Sequence, residues 1–194
     1  MGGRRSTVGC AAALVALLPT SALAQDATAG FGKRSTTVLS VENLIGKFDV
    51  TPSRGFALSE GWMGGPFVPH FGIFGMGASG LGGGVAFAFT HLTPDRGDGI
   101  TLFDIRPRIA YAVSASPLLG AWLRAGPNLF YVNAKDGGSY AFGVGAEALA
   151  VLTPTPHFGV FGGLTFDVNV YGKEQDRDQT FTITGITVGV LADF

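Results

Sequence analysis

Residues 101–114 read Thr-Leu-Phe-Asp-Ile-Arg-Pro-Arg-Ile-Ala-Tyr-Ala-Val-Ser. Phe103, Ile105, Pro107, Ile109, Tyr111 and Val113 fall on one parity, and Asp104, Arg106, Arg108, Ala110 and Ala112 on the other. A period of two is the signature of a strand whose two faces meet different surroundings. Residues 158–171 repeat the pattern, with Phe158, Val160, Leu164, Phe166, Val168 and Val170 set against Gly159, Gly163, Thr165, Asp167 and Asn169; Phe161 breaks it. Weaker alternation predicts strands near 38–47, 68–78, 82–91, 119–132, 140–152 and 180–194, eight in all. No helix-period stripe of useful length competes with them. Phe71 to Phe89 is a run of 19 residues without a charge, long enough for a membrane helix, but seven are glycine. At about 1 kcal/mol per glycine a helix there loses on the order of 7 kcal/mol, so the run reads as a hairpin turning near Ser79-Gly80.

Charge decides which face is inside. The eight segments carry nine charges, Glu42, Lys47, Asp104, Arg106, Arg108, Arg124, Glu147, Asp167 and Asp193. A water-facing surface is typically about 25–35% charged, so an aqueous outer wall is badly underpopulated. With the faces reversed, the apolar parity meets lipid and the polar one, rich in Gly, Ala and Thr, fills a narrow lumen. The expected fold is all-β, a single eight-stranded antiparallel up-and-down transmembrane β-barrel. Glu42, Asp104, Arg106, Arg108, Arg124, Glu147, Asp167 and Asn169 make the expected polar lumen set, a salt-bridged plug in preference to a proton or ion path, since a lone buried charge costs several kcal/mol. Removing Arg108 is then expected to destabilise the barrel. If the turn at Ser116-Pro117 sets the register, Arg108 lies opposite Gly126, Arg124 opposite Ala110, and Pro107 faces Pro127, a pair expected to mark a shared bulge; a missing amide donor is unwelcome in a strand interior, and nothing in the sequence accounts for these two.

Residues 79–81, 115–118 and 153–157 are short and lack Asp, Glu, Lys and Arg, whereas 48–67, 92–100, 133–139 and 172–179 hold 13 charges. Short turns inside and long polar loops outside are the habit of outer-membrane barrels. Trp122, Tyr111, Phe158 and Phe194 are expected in an aromatic girdle at the turn end, and Phe103, Tyr131, Tyr140 and Tyr171 in one at the loop end.

The chain has 194 residues and a formal net charge of -1, with no cationic excess for a nucleic-acid partner. A mean hydropathy of +0.35 with 14% charged residues excludes disorder and a soluble coiled coil. Arg4 and Arg5, the apolar run Val8 to Leu18, Pro19 and Ala22-Leu23-Ala24 spell a cleavable signal peptide over residues 1–24. A lipoprotein cleavage before Cys10 and a twin-arginine route are weaker readings, because little hydrophobic sequence precedes Cys10 and Ser6-Thr7 are polar. Residues 25–37 would be an N-terminal periplasmic lead-in and 38–194 the barrel, with both termini periplasmic. Cys10 is the single cysteine, so the mature chain carries no thiol chemistry.

Ile186, Val188, Val190, Ala192 and Phe194 form an alternating row that closes on an aromatic residue. This resembles the terminal strand of small bacterial outer-membrane barrels of the eight-stranded type exemplified by the OmpA membrane domain and OmpX. The resemblance implies an outer-membrane location, a bilayer and lipopolysaccharide as surroundings, and periplasmic chaperones and a barrel-insertion machinery that reads Ile186, Val188, Val190 and Phe194. It covers architecture, and no soluble peptidoglycan-binding domain follows, so that anchoring role is not implied.

Some barrels of this size modify lipid A with a His and a nearby Ser. Here His70, His91 and His157 are followed by Phe71-Gly72, Leu92-Thr93 and Phe158-Gly159, so none matches a His-x-Ser pair. His70 and His91 read as interfacial residues and His157 as a turn residue. The dispersed histidines imply no metal, and nothing implies a cofactor. Gly80 to Gly84 lacks the helix and the Lys-Ser/Thr of a phosphate loop, and Arg96-Gly97-Asp98 is a chance triplet. The expected function is non-enzymatic, structural or in surface recognition through outward loops that include Trp62 and the run Lys173 to Asp178. The runners-up are a narrow porin-like channel, a lipid A-modifying enzyme and a secreted soluble ligand-binding barrel.

Overall fold

The computed structural model describes residues 30–33, 35–54, 68–92, 99–134, 137–174, 177–178 and 180–194. The signal segment, Trp62 and Arg96-Gly97-Asp98 lie outside them. Strands β1 (Thr36–Arg54), β2 (His70–Met76), β3 (Leu81–Leu92), β4 (Ile100–Ser114), β5 (Leu119–Ala134), β6 (Gly137–Thr155), β7 (Phe158–Glu174) and a closing strand (Thr180–Asp193) pair antiparallel with their sequence neighbours. The closing strand also pairs with β1, which completes an eight-stranded barrel. A two-residue ladder, Arg177–Asp178, folds back on Glu174 and Lys173.

The run Phe71 to Phe89 is indeed a hairpin. It turns at Gly77–Gly80, where Gly80 (φ +81) adopts the left-handed conformation and its amide donates to the Gly77 carbonyl at 2.9 Å. Both ends of the described chain lie at this turn end, where Thr37 and Phe194 exchange backbone hydrogen bonds of 2.9 and 3.0 Å. At the loop end the strands outrun their predicted limits: β1 continues to Arg54 and β7 to Glu174. A polar strand extension has no apolar alternation, and periodicity therefore misses it.

The outward face is apolar as expected. Ile109 is 71% exposed, with Phe103, Tyr111, Val113, Phe158, Leu164, Phe166, Val170 and Ile186 also outward. Neighbouring registers carry Phe89, Phe103, Tyr131 and Tyr140 round the loop end as one aromatic row. From Phe103 to Val113 a strand rises about 33 Å, which at a tilt of roughly 40° spans about 25 Å, the height of a barrel's apolar band.

The inward face departs from expectation. It is polar only across its middle. At the turn end Trp122, Phe74, Phe161, Phe31, Met76, Leu149, Val151 and Leu191 pack into an apolar floor. Towards the loop end Phe130, Ala141, Phe181 and Ile183 form a second apolar layer. Trp122 therefore belongs to the floor and not to the outer girdle: it is fully buried, with the Phe74, Phe31 and Phe161 rings edge-on at 4.9, 5.5 and 5.9 Å. Phe31 comes from the lead-in, where Lys33 donates to the Gly30 carbonyl and the resulting turn seats the ring against Trp122.

Candidate functional site

Between the two apolar layers lies a belt of ionised side chains. Its members come from every second residue of β4–β7, because those residues share the inward parity, and from one end of a bulge in β1. The registers place small residues beside the large ones: Arg108 lies opposite Gly84, Arg106 opposite Ala86, Asp104 opposite Ala88, Arg124 opposite Ala110 and Asp167 opposite Gly145. Each long side chain thus reaches across the lumen over a neighbour with little or no side chain.

The belt is continuous. Arg124 grips Glu42 with both terminal nitrogens, Nη1 to Oε1 at 2.5 Å and Nη2 to Oε2 at 3.0 Å, and also pairs with Glu147, its direct cross-strand neighbour. Glu147 Oε1 lies 3.9 Å from Arg108 Nε, and Arg108 Nη2 lies 3.6 Å from Asp167 Oδ1. Asp167 Oδ2 meets Arg106 Nη1 at 3.4 Å, and Arg106 Nε donates to Asp104 Oδ2 at 2.9 Å. His70 Nε2 then reaches Asp104 Oδ2 at 2.6 Å. Four carboxylates and three guanidinia are joined, all at most 7% exposed. Burial of single ions would cost several kcal/mol each, and alternation of sign along the chain is what offsets it.

Aromatic faces close the belt from both sides. The Arg124 guanidinium carbon lies 4.4 Å from the Trp122 ring centroid and 5.2 Å from that of Phe74, while Arg106 lies 5.1 Å from that of Phe130. Stacked cations of this kind are worth about 0.5–2 kcal/mol, the more so when desolvated.

All eight residues of the sequence-read lumen set face inward and are buried. Seven enter the belt; Asn169, 1% exposed, lies opposite Gly143 and makes no ion pair. His70 corrects the sequence reading, since it is 1% exposed in the lumen rather than interfacial, with Nδ1 within 3.0 Å of Asn43 Nδ2 and 2.9 Å of the Val68 carbonyl. Its parity with Gly72, Phe74 and Met76 was a signal, but β2 is apolar on both faces and parity alone could not orient it. His91 is exposed and pairs with Thr101 Oγ1 at 2.9 Å. His157 occupies the β6–β7 turn, with Nδ1 2.9 Å from the Asp193 carbonyl and its ring stacked on Phe194.

Asn43 is the residue that sequence reasoning did not single out. Between the pairs Val41↔Val190 and Ile45↔Val188, β1 has three residues where the closing strand has one. Within that bulge Asn43 adopts φ +57, a left-handed conformation that Asn tolerates better than most residues. It joins His70 to Thr187, whose Oγ1 donates to Asn43 Oδ1 at 2.6 Å. Bulges re-aim side chains, and this one turns Glu42 and Asn43 towards different parts of the lumen network. Ser40 Oγ supports Glu42 Oε1 at 2.8 Å.

Pro107 and Pro127 also correct an expectation. The β4–β5 ladder runs to Ile105↔Leu129 and resumes at Ile109↔Ala125 without a register shift, so no bulge marks the prolines. The pairing simply lapses there. Gly126 is required beside the lapse, because a Cβ would stand 2.2 Å from the Pro107 carbonyl oxygen.

No protein-family model and no curated protein matches the chain. Solved structures do. The crystal structure of Neisserial surface protein A is similar over 82% of this chain and 97% of that one, with a TM-score of 0.53 and 14% identity. Ail, the attachment invasion locus protein of Yersinia pestis, aligns over 84% and 99% with a TM-score of 0.48 and 10% identity. The N-terminal β-barrel domain of Pseudomonas aeruginosa OprF aligns over 83% and 98%, with 0.41 and 13%. At these identities the likeness is one of fold: the chain has the architecture of a small outer-membrane β-barrel.

Proposed function

We propose that the protein is a non-enzymatic outer-membrane β-barrel whose lumen is a sealed, ion-paired plug and whose work, structural or in surface recognition, falls to the loops at the end opposite the chain termini. The observation that carries this reading is the inversion of the two faces. Side chains such as Ile109 and Leu164 (64% exposed) point outward, while Arg106, Arg108 and Arg124 are no more than 4% exposed in the interior. In water that outward face would be a large aggregation-prone patch; in hydrocarbon it is the required surface. An eight-stranded barrel is just wide enough to be filled by side chains, and here the filling is layered, apolar, ionic and apolar in turn.

Transport through such a stack would require each buried ion pair to open against two greasy layers. The protein reconstituted in planar bilayers is expected to give no discrete conductance steps, and sustained single-channel openings would refute the sealed-plug reading. His70, with both ring nitrogens committed within the barrel, is a structural group and offers no support for a lipid-modifying activity. Lipopolysaccharide, periplasmic chaperones and the insertion machinery are the partners that fit an exported barrel. The outward row of Ile186, Val188, Val190 and Phe194 suits a signal read before the barrel closes, because afterwards the Phe194 backbone is bonded to Thr37.

A further inference from the structure

Two prolines that face each other across a strand pair remove both amide donors at that point. In β4–β5 a lumen side chain has taken their place. Arg108 Nη1 donates to the carbonyls of Pro127 at 2.6 Å, Gly126 at 3.1 Å and Pro107 at 3.2 Å, the oxygens lining the lapse in the ladder. The same guanidinium faces Glu147 on β6 through Nε and Asp167 on β7 through Nη2. One planar group therefore ties the backbones of two strands to the carboxylates of the next two.

We infer that Pro107, Pro127 and Arg108 form an assembly latch, in which the middle of the β4–β5 wall closes only once β6 and β7 have brought the carboxylates that hold the guanidinium over the gap. Before that, the β4–β5 hairpin lacks its central donors and stays open. A wall position that would ordinarily form from local contacts is thereby made conditional on a longer-range network. The inference rests on the barrel and its belt, and on no reading of what the outward loops recognise.

The latch is tested by hydrogen–deuterium exchange, read by mass spectrometry, on the full-length barrel in detergent. Glu147→Gln/Asp167→Asn leaves the prolines and Arg108 in place. It is expected to speed exchange over 105–109 and 125–129 by roughly tenfold, with a smaller change where β1 meets β2. Arg108→Met is expected to do the same. In a Pro107→Val/Pro127→Val background, whose restored amides close the ladder, Arg108→Met should change exchange there by less than about threefold, the coupling expected of groups that act as one. Both valines would face outward beside Val85 and Val144. If Arg108→Met alone does not fold, folding in the valine background supports the latch and failure in both overturns it. Unchanged exchange over the gap in Glu147→Gln/Asp167→Asn, or equal effects of Arg108→Met in the two backgrounds, also overturns it.

Discussion

Arg124→Ala is expected to abolish the folded, heat-modifiable form of the barrel or to lower its urea midpoint steeply, with the largest effect of any single substitution in the lumen. Arg124 is the shared cation of Glu42 and Glu147, and it lies against the faces of Trp122 and Phe74. Its loss strands Glu42, 4% exposed, and leaves the buried Glu147 with Arg108 alone, 3.9 Å away. Breaking one buried pair costs about 3–5 kcal/mol, a large share of the 5–15 kcal/mol that holds a typical domain. Removing the partner charges together with the cation should rescue the barrel. Glu42→Gln/Arg124→Met/Glu147→Gln removes the cation together with both anions and leaves Arg106 and Arg108 facing Asp104 and Asp167. That triple variant should recover most of the lost stability, because apolar or neutral groups of similar size replace buried ions at little cost. A rescue that fails would show that Arg124 contributes through shape and not through charge. Urea titration followed by the gel shift between folded and unfolded forms measures both.

Trp122→Ala is expected to cost about 3–5 kcal/mol, the range for truncating a buried aromatic residue to alanine. The indole is fully buried among Phe31, Phe74 and Phe161, so the cavity cannot be filled without moving strands. Trp122→Phe should retain more than half of the lost stability by keeping a ring over Arg124. Were Trp122 instead a girdle residue at a lipid interface, alanine there would cost far less, and its fluorescence would respond to lipid-borne quenchers. Lipid quenching of Trp122 fluorescence in a Trp62→Phe background, with thermal unfolding of the two Trp122 variants, separates these cases.

The strand period was legible wherever the two faces differ chemically. In β4 the alternation of Arg106, Arg108 and Asp104 with Phe103, Ile105 and Ile109 states both the strand and its orientation, and the Ser116-Pro117 turn fixed the register that pairs Ala110 with Arg124. Trp122 shares its parity with Arg124 in β5, and Phe161 shares its parity with Thr165 and Asp167 in β7. Both were therefore marked as inward by position, although residue type suggested a girdle for Trp122. An inward face was expected to be polar, but a narrow lumen has ends as well as a middle, and apolar layers at those ends shield the ions. The bulge at Asn43 could not be read, because adding two residues to a strand preserves the period of two while changing its pairing. The role of Arg108 at the proline lapse was illegible for a related reason. Sequence shows the missing donors, but only the assembled barrel shows which side chain lies over the orphaned carbonyls.

The inside-out placement of the two faces is tested most directly by lipid quenching of single-cysteine reporters. The chain has one natural cysteine, Cys10, within the predicted signal segment, so the background is clean. A fluorophore attached at Ile109→Cys, Phe166→Cys or Ile186→Cys should be quenched strongly by brominated or spin-labelled acyl chains in reconstituted vesicles. Cysteines at the inward positions Ala110, Thr165 and Thr187 should resist labelling in the folded barrel and, if labelled before folding, should show no acyl-chain quenching. The reverse pattern, with inward positions touched by lipid tails and Ile109 protected from them, would contradict the account.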